Sequence, residues 1–428
     1  MDDGPQERGL DRTQASLLLA LIVFLGLLVS GRGNDLKPSL DRLVMVLAWP
    51  IAFGVIMVPR VRPWAPLVVA LFLICGGFVL RWDVVLHGGH GSDVLAVTNE
   101  ALTVLLNGAD PYRHVYQSSL PPGAPFPYPP VNLLIHLPGH LVAGLYGMAL
   151  TELAGAWVVM VVLARFALGR GQVLGMSMLA LYVALPNLIE LVGDGSNDTS
   201  TGAVLVLAVM ALASLRSDTP RHAVIAGVLA GCALATKQST LPIIVATGAW
   251  VLRAHPGLFR RYFVALGATL AVVSLPFLAM SGLDYLRALA SFAGYHEGVF
   301  GWNIWVLAAD TGWPIASQSD GLIIGGVTAA IALILVALPS YRSLRTAAAS
   351  GAVALAVLFF AQRWTSFAYF AQMLSVLVVL PMLPGSGADA WAGGDEPDVH
   401  AAPPTEALGA VTAPPVENLA ASRTAEGR

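Results

Sequence analysis

The sequence predicts an all-α protein that passes repeatedly through a membrane, and three observations carry that expectation. Of the 428 residues, 56% are hydrophobic and only 11% are charged, whereas charged residues make up about a quarter of an ordinary soluble chain. The apolar residues fall into runs near the roughly 20 needed to cross the hydrocarbon core. Arginines gather in alternate short connections, as the positive-inside rule requires of a multi-pass chain. The net charge of −3 gives no reason to expect a nucleic-acid partner. Cys75 and Cys232, far apart in apolar segments, imply neither a disulfide nor a metal site.

In chain order, a tail of mixed charge over 1–15 precedes an apolar run at 16–30. That run ends in Ser30-Gly31-Arg32 without a small-residue cleavage signal, so a retained helix is expected rather than a removed leader. Further spans are expected at 43–58, 66–80, 141–163, 172–192, 200–215, 222–236, 240–252, 262–280, 321–339, 346–361 and 365–383, about twelve in all. The run 131–163 is too long for one crossing and contains Pro138, so 131–140 is expected to dip into the membrane or lie on it. Residues 16–384 read as one membrane domain, and 385–428, rich in Ala, Pro, Gly and Glu, as a disordered tail on the inner side.

With the N-terminus inside, the inner connections hold Arg60, Arg62, Arg165, Arg170, Arg253, Arg260 and Arg345 and almost no acids beyond Asp218. Asp93, Asp110, Asp194, Asp198, Lys237, His296, Glu297 and Arg363 then all face outward. Nucleotide sugars and ATP are not supplied there, so a reaction on that face calls for an activated donor carried on lipid.

The polar loop 81–130 is the element around which the spans are arranged; a second outer loop lies at 281–320. Asp93, Glu100, Thr103 and Asn107 recur on one face of a 3.6-residue period, which predicts an amphipathic surface helix over 93–107 with Ser92 as its cap and Gly108 as its end. Asp93 then sits in the first turn, where the helix dipole favours a carboxylate. It suits either a general base or a solvated capping acid. Six prolines from Pro121 to Pro130 predict a stiff extended arm that either carries Tyr128 to a fixed place or acts as a plain tether.

Gly108-Ala109-Asp110-Pro111-Tyr112, following an acid and a helix in the first large outer loop, and then Tyr128-Pro129-Pro130 at the next membrane entry, resemble the GT-C superfamily. The chain is most similar to glycosyltransferase family 87, the polyprenol-phosphate-sugar-dependent mannosyltransferases and related arabinofuranosyltransferases of bacterial envelopes. Ala226-Gly227, Gly231, Lys237 and Pro242 resemble that family's glycine-rich helix leading to a lysine. The resemblance covers roughly 81–242. It implies a multi-pass enzyme of a bacterial-type plasma membrane with its active site on the extracytoplasmic face. Such an enzyme moves a sugar, mannose being the first expectation, from a polyprenyl phosphate to a glycolipid or polysaccharide. On that likeness Asp93 is the base of an inverting attack, with Asp83 as the rival for the role.

Lys237, one of only two lysines, lies at the tip of a tight hairpin between apolar segments, where it either snorkels or pairs with the donor phosphate. His296 and Arg363 are further candidates for that phosphate. Asp110, Tyr112, Tyr128, Asp194, Asn197, Asp198, Trp302 and Asn303 are candidates for holding sugar or acceptor, each weighed against a plain turn or interfacial role. His87 and His90 flank glycines without a zinc spacing, and neither metal nor other cofactor is expected. A transporter or flippase of a lipid-linked sugar is the alternative from another class; it calls for ionisable residues in mid-helix and an internal repeat. A non-catalytic scaffold is the third.

Overall fold

The computed structural model describes residues 12–30, 40–58, 60–87, 92–120, 122–169, 172–216, 219–291, 299–313 and 317–383. They form an almost wholly helical bundle. The first part comprises α1 (Arg12–Ser30), α2 (Leu40–Met57), α3 (Ala65–His87), α4 (Val94–Leu106) and α5 (Pro130–Ala167). The middle comprises α6 (Gln172–Ala184), α7 (Pro186–Glu190), α8 (Asp198–Ala213), α9 (Pro220–Thr236), α10 (Leu241–Ala254) and α11 (Pro256–Ser281). After α12 (Leu283–Ser291) come β1 (Phe300–Gly301), α13 (Ile304–Asp310), α14 (Gln318–Ala337), α15 (Leu344–Ala361), β2 (Trp364–Thr365) and α16 (Ala368–Leu377).

Each predicted span contains a helix. Among the described residues, five helices are long and apolar enough to cross a membrane: Arg62–His87, Pro130–Ala167, Pro256–Ser281, Ser319–Ala337 and Leu344–Ala361. The others are shorter apolar helices such as Asp198–Ala213 and Pro220–Thr236. Proline opens α5, α7, α9 and α11, where its missing N–H costs nothing and its fixed φ suits the first turn.

Two boundaries depart from expectation. Arg81, Trp82 and Asp83 do not open the polar loop; they lie in α3, which runs on to His87. Arg81 is fully buried and donates to the carbonyls of Tyr182 at 2.8 Å and Val183 at 3.1 Å. Pro186 has no N–H to return to Tyr182, so α6 breaks inside the expected 172–192 span, and the guanidinium satisfies the carbonyls that the break sets free.

The second is in α5, which divides as expected but at 143–144 rather than after residue 140. Its backbone leaves the helix at Ala143 and at Gly144, where φ is +57°. The two halves then fold back on each other, with Gly139 and Gly147 in backbone contact and His136 opposite Glu152. Segment 130–142 is thus one arm of a helical hairpin, and Pro138 lies within that arm rather than at the turn. A Cβ at Gly147 would collide with the Gly139 carbonyl. Gly147→Ala is therefore expected to pry the hairpin open at a cost of about 1–3 kcal/mol, the usual range for overpacking, read as a lower unfolding temperature in lipid.

One core joins α1, α2, α3, α5 to α11, α15 and α16. A second lies under the polar loop, where Leu95 and Leu102 of α4 meet Tyr112, Tyr116, Phe126, Tyr128, Phe277 and Tyr285. The proline arm is held by this second core. Its start pairs with the segment before it, because Tyr116 N–H donates to the Ala124 carbonyl and Gly123 N–H to that of Tyr116. The loops that close one end of the bundle are tied together. Gln238 Nε2 donates to the carbonyls of Pro127 and Leu289, Arg113 reaches the Ser281 carbonyl, and β1 pairs in parallel with β2.

Candidate functional site

The turn between α7 and α8 is the seat on which the polar loop rests. Gly195 has φ of +90°, a conformation that suits glycine. Gly193 lies so close to α3 that a Cβ would sit 2.6 Å from the Val84 carbonyl oxygen. Two backbone bonds then dock the start of α4 on this turn: Ser92 N–H donates to the Asp194 carbonyl at 2.8 Å and Leu95 N–H to that of Gly195 at 2.7 Å.

Asp93, rather than Ser92, occupies the N-cap position of α4, and its side chain caps no helix N–H. Its carboxylate instead accepts the Leu120 N–H from the far side of the loop. Burial raises the Asp93 pKa from its ordinary value, against the downward pull of the Leu120 and Asp93 N–H groups. Gly108, with φ of +76°, ends the helix as expected.

Tyr128 and Tyr369, both within reach of the Asp93 charge, flank the Lys237 centre. The backbone leaves α9 at Lys237 in an extended conformation, which turns the side chain back into the bundle. Its ammonium donates to Asp198 Oδ1 at 2.7 Å and Asn197 Oδ1 at 3.0 Å. It also lies over the Tyr369 ring at 4.8 Å and the Tyr128 ring at 5.9 Å, within cation–π range. Lys237 is 4% exposed and Asp198 fully buried, so this lysine does not snorkel. Gln372 Nε2 donates to Asp198 Oδ1 at 3.1 Å, while its Oε1 accepts from Ser239 Oγ at 3.0 Å. Among the described residues, nothing hydrogen-bonds to Asp198 Oδ2. The hydroxyl of Tyr128 is held well above its usual pKa by burial and by the nearby Tyr369, Asp93 and Asp198, and so stays a neutral donor.

A polar layer runs behind this centre. Asn197 Nδ2 donates to Asn132 Oδ1 at 2.8 Å, and Asn132 Nδ2 to Thr98 Oγ1 of α4 at 3.0 Å. His136 and Glu152, both fully buried, meet across the α5 hairpin at 2.9 Å. His136 Nδ1 donates to the Asn132 carbonyl and the Ser200 N–H donates to Glu152 Oε2. With Nδ1 protonated, a second proton must lie between Nε2 and Glu152, so the pair is neutral overall whichever partner holds it.

The structure thus brings Asp93, Tyr128, Asp194, Asn197, Asp198 and Lys237 to one place. It puts others elsewhere. Asp110 accepts from Tyr112 N–H at 2.9 Å and Ser281 Oγ at 2.7 Å, and Tyr112, 2% exposed, donates to the Tyr128 carbonyl at 2.9 Å. Both hold the arm from behind. Asn303 caps α13, accepting from the N–H groups of Trp305 and Val306, and Trp302 is 67% exposed. Arg363 lies at the junction of β1 and β2, its side chain lying across Gly321 and its carbonyl bonded by Phe300 and Asn303. Asp83 meets His87 Nδ1 at 3.1 Å near the end of α3. His296 falls outside the described residues.

Sequence reasoning passed over Asn132, His136, Glu152, Ser239, Tyr369 and Gln372. The signal was there, since polar or ionisable side chains inside apolar spans are costly unless they are paired and used. Burial of Asp194, with Asp198 and Glu152 nearby, raises its pKa to about 7 although Ser196 donates to it. An acid whose folded pKa exceeds its unfolded one stabilises the fold fully below the unfolded value, and that contribution is lost as pH rises through the folded value. Unfolding temperature is therefore expected to fall from about pH 4 to about pH 7, and the fall to be shallower in Asp194→Asn. No protein-family model, curated protein or solved structure matches the chain.

Proposed function

We propose that the chain is a membrane glycosyltransferase of the GT-C type, resembling glycosyltransferase family 87, with about twelve crossings and a functional first outer loop. It moves a sugar, mannose first among the candidates, from a polyprenyl phosphate to a glycolipid or polysaccharide on the extracytoplasmic face. The observation that carries this reading is the meeting of Asp93 with the buried Lys237–Asp198 centre and Tyr128 at one end of the bundle. The other end carries basic groups such as Arg253 and Arg345, whose guanidinium groups close on helix-terminal carbonyls, which fits the positive-inside assignment.

In the reaction, the Asp93 carboxylate takes the proton of an acceptor hydroxyl as that oxygen attacks the anomeric carbon. The bond from that carbon to the phosphate oxygen breaks, and its electron pair leaves with polyprenyl phosphate. The products are an inverted glycoside, the lipid phosphate and a proton held on Asp93.

One observation favours a second reading. His136 and Glu152 form a buried pair inside the hairpin of α5, the kind of mid-helix pair expected of a transporter or flippase of lipid-linked sugars. The test is to supply the protein in lipid with a panel of polyprenyl-phosphate sugars and a membrane extract. Radiolabelled sugar is expected in the acceptor fraction with free polyprenyl phosphate in equal amount. Translocation of the intact donor without transfer would establish the transporter reading instead.

A further inference from the structure

Around Lys237, nearly every polar atom is spoken for. Asn197 uses its oxygen on Lys237 and its amide nitrogen on Asn132. Gln372 uses its nitrogen on Asp198 and its oxygen on Ser239. Asp198 Oδ1 takes both Lys237 and Gln372, whereas Oδ2, equally buried, takes nothing. A buried carboxylate oxygen left without a donor costs more than a neutral group in the same position, and an orphan of this kind calls for a partner from outside the chain.

The charges around it decide what that partner is. Lys237 and Asp198 cancel, and the ammonium is already enclosed by two oxygens and two aromatic rings. Asp93 and Asp194 bring two more carboxyl groups to the same end of the bundle, and Tyr128 and Tyr369 both lie within reach of the charges of Asp93 and Asp198. A phosphate brought to Lys237 would have to displace Asp198 from its ion pair and then face three carboxyl groups. A cationic ligand at Oδ2 would meet Lys237, which shares that carboxylate. An uncharged hydroxyl meets neither obstacle and supplies the one donor that Oδ2 lacks.

We infer that Asp198 Oδ2 accepts a hydroxyl of a neutral sugar, and that Lys237 serves to hold Asp198 in place and does not bind the phosphate of a lipid-linked donor. This deepens the glycosyltransferase reading and rests on it for the choice of sugar. It assigns the Lys237 centre to the uncharged, polyhydroxylated part of the substrate.

The experiment uses the full chain in lipid nanodiscs, with methyl α-mannopyranoside and inorganic phosphate as separate probes, followed by difference infrared spectroscopy in the carboxylate region. The glycoside is expected to shift a carboxylate band that disappears in Asp198→Asn, with binding weakened about tenfold or more; inorganic phosphate is expected to leave the band unchanged. Asp198→Asn leaves Lys237 buried without its counter-ion, so the double variant Asp198→Asn with Lys237→Gln, which has no unpaired charge, provides a second variant expected to lose the band and the binding. The inference is overturned if phosphate shifts the band in a manner abolished by Lys237→Gln. It is equally overturned if the glycoside binds Asp198→Asn as well as it binds the wild type, or if neither probe moves the band. The transfer assay separates the two ideas. Phosphate binding at Lys237 in a chain that transfers sugar removes only the inference, while glycoside binding at Asp198 in a chain that transfers none removes only the enzyme.

Discussion

Lys237→Met is expected to destabilise the folded chain by about 3–5 kcal/mol, the range for breaking one side of a buried ion pair. Methionine keeps most of the length and apolar volume of the stem, so the contacts with Tyr128 and Tyr369 largely survive and packing is not the cause. What changes is Asp198, fully buried, whose Oδ1 keeps only the Gln372 amide and whose Oδ2 had no partner to begin with. Asn197 Oδ1 loses a donor in the same step. Pairing Lys237→Met with Asp198→Leu is expected to recover most of the loss, because the pair is removed whole and no charge stays behind. Denaturant unfolding in bicelles, comparing the two single variants with the double, gives the coupling between them. A Lys237→Met chain as stable as the wild type would mean that Asp198 is not charged in the native protein.

The sequence was most readable where a local rule decides the outcome. Long apolar runs became helices, the 3.6-residue spacing of Asp93, Glu100 and Thr103 became α4, and Gly108 stopped it. The nearness of Asp93, Asp198 and Lys237 was legible only as a shared face, and their actual contacts come from elements far apart in the chain. Arg81 read as the start of a loop because a lone arginine interrupts an apolar run, yet carbonyls about a hundred residues away accept its guanidinium and let α3 continue. Gln372 lies 174 residues from Asp198, and no local pattern joins the two. The division of 131–163, expected after residue 140, fell at 143–144, where positive φ favours glycine, and Pro138 stayed inside the first arm. Asp110 and Tyr112 have the residue types of a site and the geometry of a buttress. The Asx turn and the Ser281 hydroxyl occupy Asp110 Oδ1, Arg113 stands 3.6 Å from Asp110 Oδ2, and the Tyr112 hydroxyl is spent on the Tyr128 carbonyl.

Asp93→Asn is expected to lower the rate of sugar transfer by about 10²–10⁴-fold, the range for losing a general acid–base group, with substrate affinity little changed. Asparagine preserves the shape and can still accept the Leu120 N–H, so the loop that Asp93 pins across α4 is retained and the loss falls on proton removal. The pH profile provides a sharper test than the rate alone. Burial raises the Asp93 pKa, so the base is protonated and idle at a higher pH than an exposed carboxylate would be. Wild-type activity should accordingly fall on the acid side at a higher pH than an exposed aspartate would give, and the residual activity of Asp93→Asn should lack that limb. Asp83→Asn is the control for the rival base. Asp83 meets His87 on the last turns of α3 and does not belong to the cluster around Lys237. If Asp83→Asn removes the acid limb and Asp93→Asn leaves it in place, the proton is taken at the end of α3, and the pin between Asp93 and Leu120 is structural only.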